Sequence, residues 1–276
     1  MDIIKASGER EPFSSDKLRY SLELAGASPF SIEKVIGYIT KEIKDGTETS
    51  LIYRHAFNIL RKFERPAAAR YSLKKAIMEL GPSGHPFEKL VGKLLLADGF
   101  SVEVGKIVQG ACVSHEIDVV AQKDNRHIMV ECKFHNQQGI KSDVKIALYV
   151  QARFEDVQRA WQRQQGHAQK FHEAWLVTNT KLTSEAIQYA QCVSIKAIGW
   201  HYPAQESLEA RIDRAGIHPI TCLTTLSRFQ KQQLLAGGIV ICKEILEDEN
   251  ILRFIGLPKL KASGVIDEIK QFCHPL

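Results

Sequence analysis

Cysteine pairs of the kind that bind zinc or build a disulfide framework are absent from the 276-residue sequence. The six cysteines are scattered and none belongs to a Cys-x-x-Cys motif; they are Cys112, Cys132, Cys192, Cys222, Cys242 and Cys273. Isolated cysteines are typical of reduced thiols in a cytosolic protein. We therefore expect a cytoplasmic protein with neither disulfides nor a structural zinc site.

Long hydrophobic runs are also missing. No stretch approaches the roughly 20 apolar residues that a membrane-spanning helix needs, and the opening residues lack the apolar core of a signal peptide. The sequence contains no Gly-x-x-x-x-Gly-Lys-Ser/Thr motif, no internal repeat and no low-complexity tract. These absences argue against a P-loop motor and predict a protein with no membrane partner.

What is present is an ordinary globular composition. Hydrophobic residues make up 44% of the sequence and charged residues 25%, which suits two or three folded domains in a chain of this length. Lys and Arg number 37 against 32 Asp and Glu, giving a formal net charge of +5. This small excess permits a polyanionic partner without requiring one.

Two interruptions divide the chain into three segments. The first is Gly81-Pro82-Ser83-Gly84, which ends any helix and supplies a flexible joint. The second, softer one is Tyr202-Pro203-Ala204-Gln205, after which a helical pattern resumes. We predict domains over residues 1–84, 85–203 and 204–276. The last is expected to be small and helical, with a role in packing or in forming a homo-oligomer.

The middle segment mixes helical and extended patterns. A helix is predicted over residues 86–97, followed by strands over 100–108, 116–121 and 127–134. A long amphipathic helix, a strand, a second helix and a last strand follow. Hairpins are antiparallel whereas strand-helix-strand crossovers favour parallel neighbours, so this order predicts an α/β fold with a mixed sheet flanked by helices.

Two neighbouring strands of this predicted sheet carry charged side chains that would meet. Asp118 lies in the strand 116–121, and the next strand contains Glu131, Cys132 and Lys133. Side chains two apart on a strand share a face, so Glu131 and Lys133 project together. A hairpin can set Asp118 beside Glu131. Two carboxylates suit Mg²⁺, and a neighbouring ammonium could orient a metal-activated water.

The acid-x-Lys pattern is weak by itself. It also occurs at Glu42-Ile43-Lys44, Asp143-Val144-Lys145 and Glu268-Ile269-Lys270. Those three lie in predicted helical stretches, where residues two apart point in different directions. The alternative for Glu131 and Lys133 is a solvent-facing strand on which the two charges only neutralise one another.

The residues around this pattern resemble a known family. His115-Glu116-Ile117-Asp118-Val119-Val120-Ala121 with Met129-Val130-Glu131-Cys132-Lys133-Phe134 is similar to the PD-(D/E)xK nuclease core, in its Mrr-type restriction endonuclease branch. The resemblance extends from Pro86 to Trp200, and the order of predicted elements agrees with it. It implies a restriction-endonuclease-like sheet, an endodeoxyribonuclease activity that depends on Mg²⁺ or Mn²⁺, and double-stranded DNA as the substrate.

The same resemblance implies roles for individual residues. Asp118 and Glu131 would bind the metal, and Lys133 would serve the nucleophilic water. An acid in the leading helix often joins the site in this family, and Glu88 matches it. A glutamine early in the next long helix is a common assisting residue, for which Gln151 is the candidate.

The N-terminal segment starts with an extended stretch and a turn at Gly8, and four helices are predicted to follow. Basic residues cluster before the first of these helices and again in the fourth, where Arg70 and Lys74 lie one helical turn apart. Two such clusters, brought together, would make a triphosphate pocket. The alternative is an ordinary solvated helix surface.

Residues 3–80 resemble an ATP-cone, the regulatory nucleotide-binding domain known from ribonucleotide reductases and their repressors. The resemblance rests on the entry Glu11-Pro12-Phe13 and on the helix Ala69-Arg70-Tyr71-Ser72-Leu73-Lys74. It implies that ATP or dATP binds as an effector without being hydrolysed. The residues it assigns to the nucleotide are Lys5, Arg10, Glu11, Lys17, Arg70 and Lys74.

Taken together, these patterns and resemblances predict a nucleotide-regulated, Mg²⁺-dependent DNA endonuclease that acts in restriction or in defence against foreign DNA. Two alternatives stay open. One is a nucleotide-sensing DNA-binding regulator that uses the nuclease-like fold without cutting. The other is a structure-specific repair nuclease or resolvase, which shares the chemistry and differs in its DNA substrate.

Overall fold

The chain forms two compact units in a computed structural model that describes residues 1–5, 7–137, 139–166 and 170–273. One unit combines Met1–Ala76 with the C-terminal segment from His218, and the other spans Ile77–Ile217. The domain boundaries predicted from the sequence lie at other residues than the boundaries of these two units. The three predicted domains and their functions stay a prediction. Within the described ranges, no helix is long and apolar enough to cross a membrane.

The N-terminal segment consists of a small sheet and helices. Its elements are β1 (Asp2–Ile4), β2 (Arg10–Pro12), α1 (Ser15–Leu24), α2 (Pro29–Glu42), β3 (Thr47–Glu48), α3 (Thr49–Phe63), α4 (Arg65–Tyr71) and α5 (Leu73–Met78). The sheet order is β2-β1-β3, with β1 antiparallel to β2 and parallel to β3. Ser14 and Ser28 cap α1 and α2 by accepting hydrogen bonds from backbone amides.

The predicted fourth helix of this segment is two helices. It is interrupted at Ser72, whose hydroxyl donates to the carbonyl of Ala69 and competes with the regular helical pattern. The prediction that Arg70 and Lys74 lie on one helix is therefore wrong, because Arg70 belongs to α4 and Lys74 to α5. The strands β2 and β3 were also not predicted, since each is too short to show an alternating pattern.

The second unit is built around a five-stranded sheet. Its elements are α6 (His85–Ala97), β4 (Ser101–Gln109), β5 (Ser114–Lys123), β6 (Arg126–Lys133), β7 (Lys141–Ser142), α7 (Val144–Gln162), β8 (Phe171–Thr178), β9 (Lys181–Leu182), α8 (Ser184–Cys192), β10 (Lys196–Ile198) and α9 (Leu208–Ala215). The strand order is β10-β8-β6-β5-β4. The pairs β4–β5 and β5–β6 are antiparallel, and the pairs β6–β8 and β8–β10 are parallel. The predicted mixed α/β fold is confirmed.

Local sequence explains how this sheet is assembled. A two-residue turn at Asp124 and Asn125 joins β5 to β6, with Asp124 in the left-handed region at φ 53°. Helix α6 packs closely on β4 because Gly92 has no side chain; a Cβ there would lie 3.0 Å from a methyl of Val104. On another part of the sheet, Trp161 of α7 packs in a buried apolar cluster with Met129.

The C-terminal segment is helical, as its pattern predicts. It contains a short 3₁₀ turn (Ile220–Cys222), α10 (Arg228–Ala236), α11 (Cys242–Glu247), α12 (Asn250–Phe254) and α13 (Lys259–Phe272). The hydroxyl of Thr221 donates to the carbonyl of Ala76 at 2.7 Å, which ties this segment to the N-terminal one. All six cysteines are free thiols.

Candidate active site

Asp118 lies on β5 where this strand separates from β6. The antiparallel register sets Val119 opposite Val130, so Asp118 and Glu131 occupy the next step along the two strands. The Asp118 carboxylate accepts a hydrogen bond of 2.7 Å from the backbone amide of Cys132. This bond holds the carboxylate against the backbone between Glu131 and Lys133, which is the proximity that the hairpin predicts.

The end of β6 alternates as its sequence pattern predicts. Val130 and Cys132 are buried and pack in the core. Between them Glu131 is partly buried, with 17% of its side chain exposed, and Lys133 is exposed at the last position of the strand. Glu131 is therefore shielded but reachable, while Lys133 faces solvent.

Glu88 approaches the same place from the first turn of α6. Its neighbour Phe87 packs on Phe134, which follows β6 directly, with ring centroids 5.7 Å apart. The charge of Glu88 raises the pKa of both Asp118 and Glu131, so its carboxylate lies close enough to repel them. The structure thus gathers three predicted acidic residues where the inner strands β5 and β6 separate. Glu88, Asp118 and Glu131 form the acidic edge of the sheet.

Burial and neighbouring negative charge raise the pKa of two of these acids, Asp118 and Glu131. Burial is the largest cause of the raised pKa of Asp118, which reaches about 7, and repulsion from Glu131 adds to it; the Cys132 amide opposes the rise. Burial also raises the pKa of Glu131, against the attraction of Arg153 and Lys133. Adjacent carboxyl groups whose pKa values are raised by burial and by like charge are typical of functional sites.

Arg153 is a site residue that the sequence does not reveal. It lies on α7 with 10% of its side chain exposed, and its guanidinium donates to the Glu131 carboxylate and to the carbonyl of Glu116. The same group lies over the ring of Tyr149, 5.2 Å from its centroid. An arginine in an amphipathic helix has no sequence signal that separates this position from a solvated one.

Gln151 lies on α7 two residues before Arg153, which places the two side chains on opposite flanks of the buried stripe. Its amide donates to Glu155 at 2.9 Å. Its carbonyl oxygen is buried and has no hydrogen-bond partner among the described residues. The assisting role assigned to Gln151 stays a prediction.

The loop that enters β5 is fixed by Asp156 of α7. This buried carboxylate accepts hydrogen bonds from the amides of Cys112 and Val113 and from Nε2 of His115, at 2.8, 3.3 and 2.9 Å. These bonds hold the pKa of Asp156 well below its usual range, with His115 as the largest cause. His115 is therefore engaged with Asp156 beside the site.

The chain that leaves β6 is fixed by Asn179. Its side-chain oxygen accepts from the amide of His135 at 2.8 Å, and its side-chain nitrogen donates to the carbonyl of His135 at 2.7 Å. Asn179 is fully buried. The imidazole of His135 hydrogen-bonds Ser142, whose hydroxyl hydrogen-bonds Thr178. The backbone just after Lys133 is thus locked to the end of β8.

The donor set at this edge fits a hard divalent cation. In the described part of the chain, no three His, Cys, Asp or Glu side chains are grouped as a complete cage for a metal. Mg²⁺ does not need one, because it commonly takes one or two carboxylates and completes its shell with water and substrate phosphate oxygens. The repulsion between Asp118 and Glu131 is what a bound cation would relieve.

The residues assigned to a nucleotide divide into separate groups. Lys5 and Lys17 both pair with the Glu11 carboxylate, at 2.8 and 3.2 Å, and these bonds raise the pKa of Lys5 and lower that of Glu11. Arg10 pairs with Asp45 at 2.8 Å. Lys5, Glu11 and Lys17 form a compact, solvent-facing cluster around the β1–β2 hairpin.

Arg70 and Lys74 lie elsewhere in the N-terminal segment. Arg70 donates to the carbonyl of Ala25 at 2.8 Å, and a Cβ at Gly26 would come within 2.8 Å of its guanidinium. Arg70 therefore packs against the C-terminal end of α1 and donates a hydrogen bond there. Lys74 is exposed on α5.

The sheet and its acidic edge define the class of a restriction-endonuclease-like domain, and comparison with known proteins agrees. A family model described as "Restriction endonuclease" matches residues 81–199, and one described as "AF1548-like, C-terminal" matches residues 218–273. A protein of Archaeoglobus fulgidus is 41% identical over 182 residues, which are 66% of this chain and 98% of the relative. The chain belongs to the family of this Archaeoglobus protein.

A solved structure gives the same answer at the level of fold. The crystal structure described as that of the "Protein of Unknown Function AF1548" is 39% identical in sequence, with a TM-score of 0.56. The similarity covers 69% of this chain and 98% of that one. The predicted restriction-endonuclease-like domain in the middle of the chain is confirmed, and a nuclease of the hydrolase class is the activity that it indicates.

Proposed function

We propose that the chain is a Mg²⁺- or Mn²⁺-dependent endodeoxyribonuclease that hydrolyses phosphodiester bonds of double-stranded DNA. The observation that carries this proposal is the hydrogen bond from the Cys132 amide to Asp118, because it brings the acid of β5 to the Glu-x-Lys of β6. The match of residues 81–199 to a restriction endonuclease supports DNA as the substrate class. Restriction, or defence against foreign DNA, is the corresponding role.

The proposed chemistry divides among the residues already described. Asp118 and Glu131 would hold the metal, which supplies Lewis acidity and a more acidic bound water when it is present. Lys133 would orient the attacking water and offset negative charge that develops on the phosphate. Glu88 is close enough to add a further negative charge to the metal site, and Gln151 is proposed to assist.

The experiment is cleavage of supercoiled plasmid DNA by the full chain with Mg²⁺, with and without a chelator. We expect nicking or linearisation that needs the metal and that falls at least about 100-fold in Lys133→Met. Lys145→Met is the matched control, because Lys145 also follows an acid-x-Lys pattern but is exposed in the first turn of α7. Equal cleavage by all three proteins would contradict the assignment.

The same assay separates the two alternatives. A DNA-binding regulator would retain DNA affinity in Glu131→Gln, and the wild type would bind plasmid without cutting it. A structure-specific repair nuclease or resolvase would cut branched DNA in preference to plain duplex of the same length. Plain, methylated and branched substrates therefore belong in one panel.

We further propose that the N-terminal segment binds ATP or dATP as an effector through Lys5, Arg10, Glu11, Lys17, Arg70 and Lys74. The cluster of Lys5, Glu11 and Lys17 supports this proposal, because two ammonium groups converge there on one carboxylate. A bound triphosphate could replace the Glu11 carboxylate as the partner of those ammonium groups.

The test of this effector site is equilibrium binding of ATP and dATP beside the cleavage assay. We expect a nucleotide to change the cleavage rate at least about fivefold, which corresponds to roughly 1 kcal/mol in the activation free energy. Lys17→Gln should weaken nucleotide binding and abolish that change, whereas the exposed control Lys41→Gln should behave as the wild type. Cleavage that ignores both nucleotides would contradict the proposal.

A further inference from the structure

Arg153 is held at the acidic edge by three different contacts. One guanidinium nitrogen donates to Glu131 and another to the carbonyl of Glu116, while the planar group lies over the ring of Tyr149. With 10% of its side chain exposed, Arg153 is more enclosed than Glu131, of which 17% is exposed. A guanidinium fixed on three sides is a built part of the site and not a surface charge.

The charge of Arg153 compensates a local excess of negative charge. The charge of Glu131 raises the pKa of Asp118, the charge of Glu88 raises the pKa of both, and Arg153 lowers the pKa of both Asp118 and Glu131. Among the described residues, Arg153 is the one basic residue that forms an ion pair with Glu131 within 4 Å. The guanidinium therefore serves as the counter-cation of this carboxylate.

A divalent metal and a guanidinium draw on the same lone pairs. The Glu131 oxygen that accepts from Arg153 is one of the two oxygens that a metal at this site could use. Metal binding must therefore either displace the guanidinium from that oxygen or proceed against its charge. Both routes cost free energy that a neutral residue at position 153 would not impose.

We propose that Arg153 is an internal counter-cation that competes with the divalent metal for Glu131 and so sets the metal affinity of the site. This inference rests on the proposed function of Glu131 as a metal ligand. When the metal binds, Arg153 keeps its contacts with Glu116 and Tyr149 and stays beside the site. It is a positioning residue, because it acts on the metal through Glu131.

The test is titration of the DNA-free full chain with Mn²⁺, followed by the electron paramagnetic resonance signal of free Mn²⁺. Arg153→Gln removes the charge, and we expect it to bind Mn²⁺ at least about tenfold more tightly than the wild type. Arg159→Gln is the matched control, since it removes the same charge from the same helix but at a side chain that contacts Asp156. We expect its Mn²⁺ affinity to stay within about twofold of the wild type.

A second measurement does not depend on the stability of Arg153→Gln. The guanidinium NMR signal of Arg153 in the wild type, assigned by its loss in Arg153→Lys, should shift when Mg²⁺ saturates the site. An unshifted signal at saturating Mg²⁺ would overturn the proposal. So would Mn²⁺ affinity in folded Arg153→Gln that equals or falls below that of the wild type.

The outcomes separate this inference from the proposed function. If the wild type cuts DNA with Mg²⁺ and Arg153→Gln binds Mn²⁺ no more tightly, the counter-cation role fails and the nuclease stands. If neither protein binds Mn²⁺, the metal-dependent nuclease fails and the inference falls with it. Tighter binding in Arg153→Gln without DNA cleavage would support a metal site that serves another reaction.

Discussion

The backbone amide of Cys132 donates a hydrogen bond of 2.7 Å to the carboxylate of Asp118. This bond joins two residues on different strands at the point where the strands separate. It positions the acid of β5 by means of the backbone of β6, so the approach of Asp118 to Glu131 and Lys133 does not depend on flexible side chains alone. A site built on paired strands is more rigid than one built on loops.

Asn179→Ala is expected to loosen the chain that follows Lys133. The side chain makes two hydrogen bonds to the backbone of His135 in a fully buried setting, and its removal leaves that amide and carbonyl without these partners. We predict a loss of about 2 kcal/mol or more in the free energy of unfolding, measured by urea denaturation. Asn125→Ala, in the exposed β5–β6 turn, is the control. Unchanged stability of Asn179→Ala would refute this role.

Gly110→Ala is expected to disturb the entry to β5. A Cβ at this position would lie 2.2 Å from the Asp156 carboxylate and 2.7 Å from the carbonyl of Val113, so the loop must shift. We predict a destabilisation of about 1–3 kcal/mol. Gly37→Ala should instead stabilise the fold. Gly37 lies inside α2 with open space around it, and alanine favours a helix over glycine by about 0.5–1 kcal/mol. Equal effects of the two substitutions would contradict this explanation.

Stability should fall in acid because of Asp156. Its pKa is depressed in the folded chain by bonds from His115, Cys112 and Val113, so the unfolded chain binds the proton more readily. The contribution of Asp156 is then fully present above the unfolded pKa near 4 and is lost as the pH falls through the lower folded value. Asp156→Asn should flatten the dependence of the unfolding midpoint on pH below about pH 4. A variant that keeps the wild-type slope there would exclude Asp156 as its source.

The sheet and the acidic positions Asp118 and Glu131 could be predicted from short-range patterns in the sequence, whereas Glu88 was implied by the family resemblance alone. Alternation along β6 separates Val130 and Cys132 from Glu131 and Lys133, and the short turn at Asp124 fixes which residues face each other. The Glu-x-Lys element was distinguishable from its three copies by its strand context. Asp143, in one of these copies, lies just outside the predicted helix as the N-cap of α7, and its side chain accepts from the Lys145 amide.

The other features of the site depend on contacts between parts of the chain that are distant in sequence. Arg153 meets Glu131 across 22 residues, and Asn179 and His135 are 44 apart. A side chain that bonds to a remote backbone leaves no periodic trace in the sequence. The break at Ser72 was missed for a local reason, because a single hydroxyl interrupts a pattern that is otherwise helical.

The most direct test of the central claim is a double-mutant cycle on the single-turnover rate of DNA cleavage. Glu131→Gln, Lys133→Met and the double variant are compared with the wild type at saturating Mg²⁺. If the two residues act as one hydrolytic centre, each single substitution lowers the rate at least about 100-fold and the double variant is little slower than the slower single one. Single variants that cut at the wild-type rate, or effects that multiply in the double variant, would contradict a shared centre.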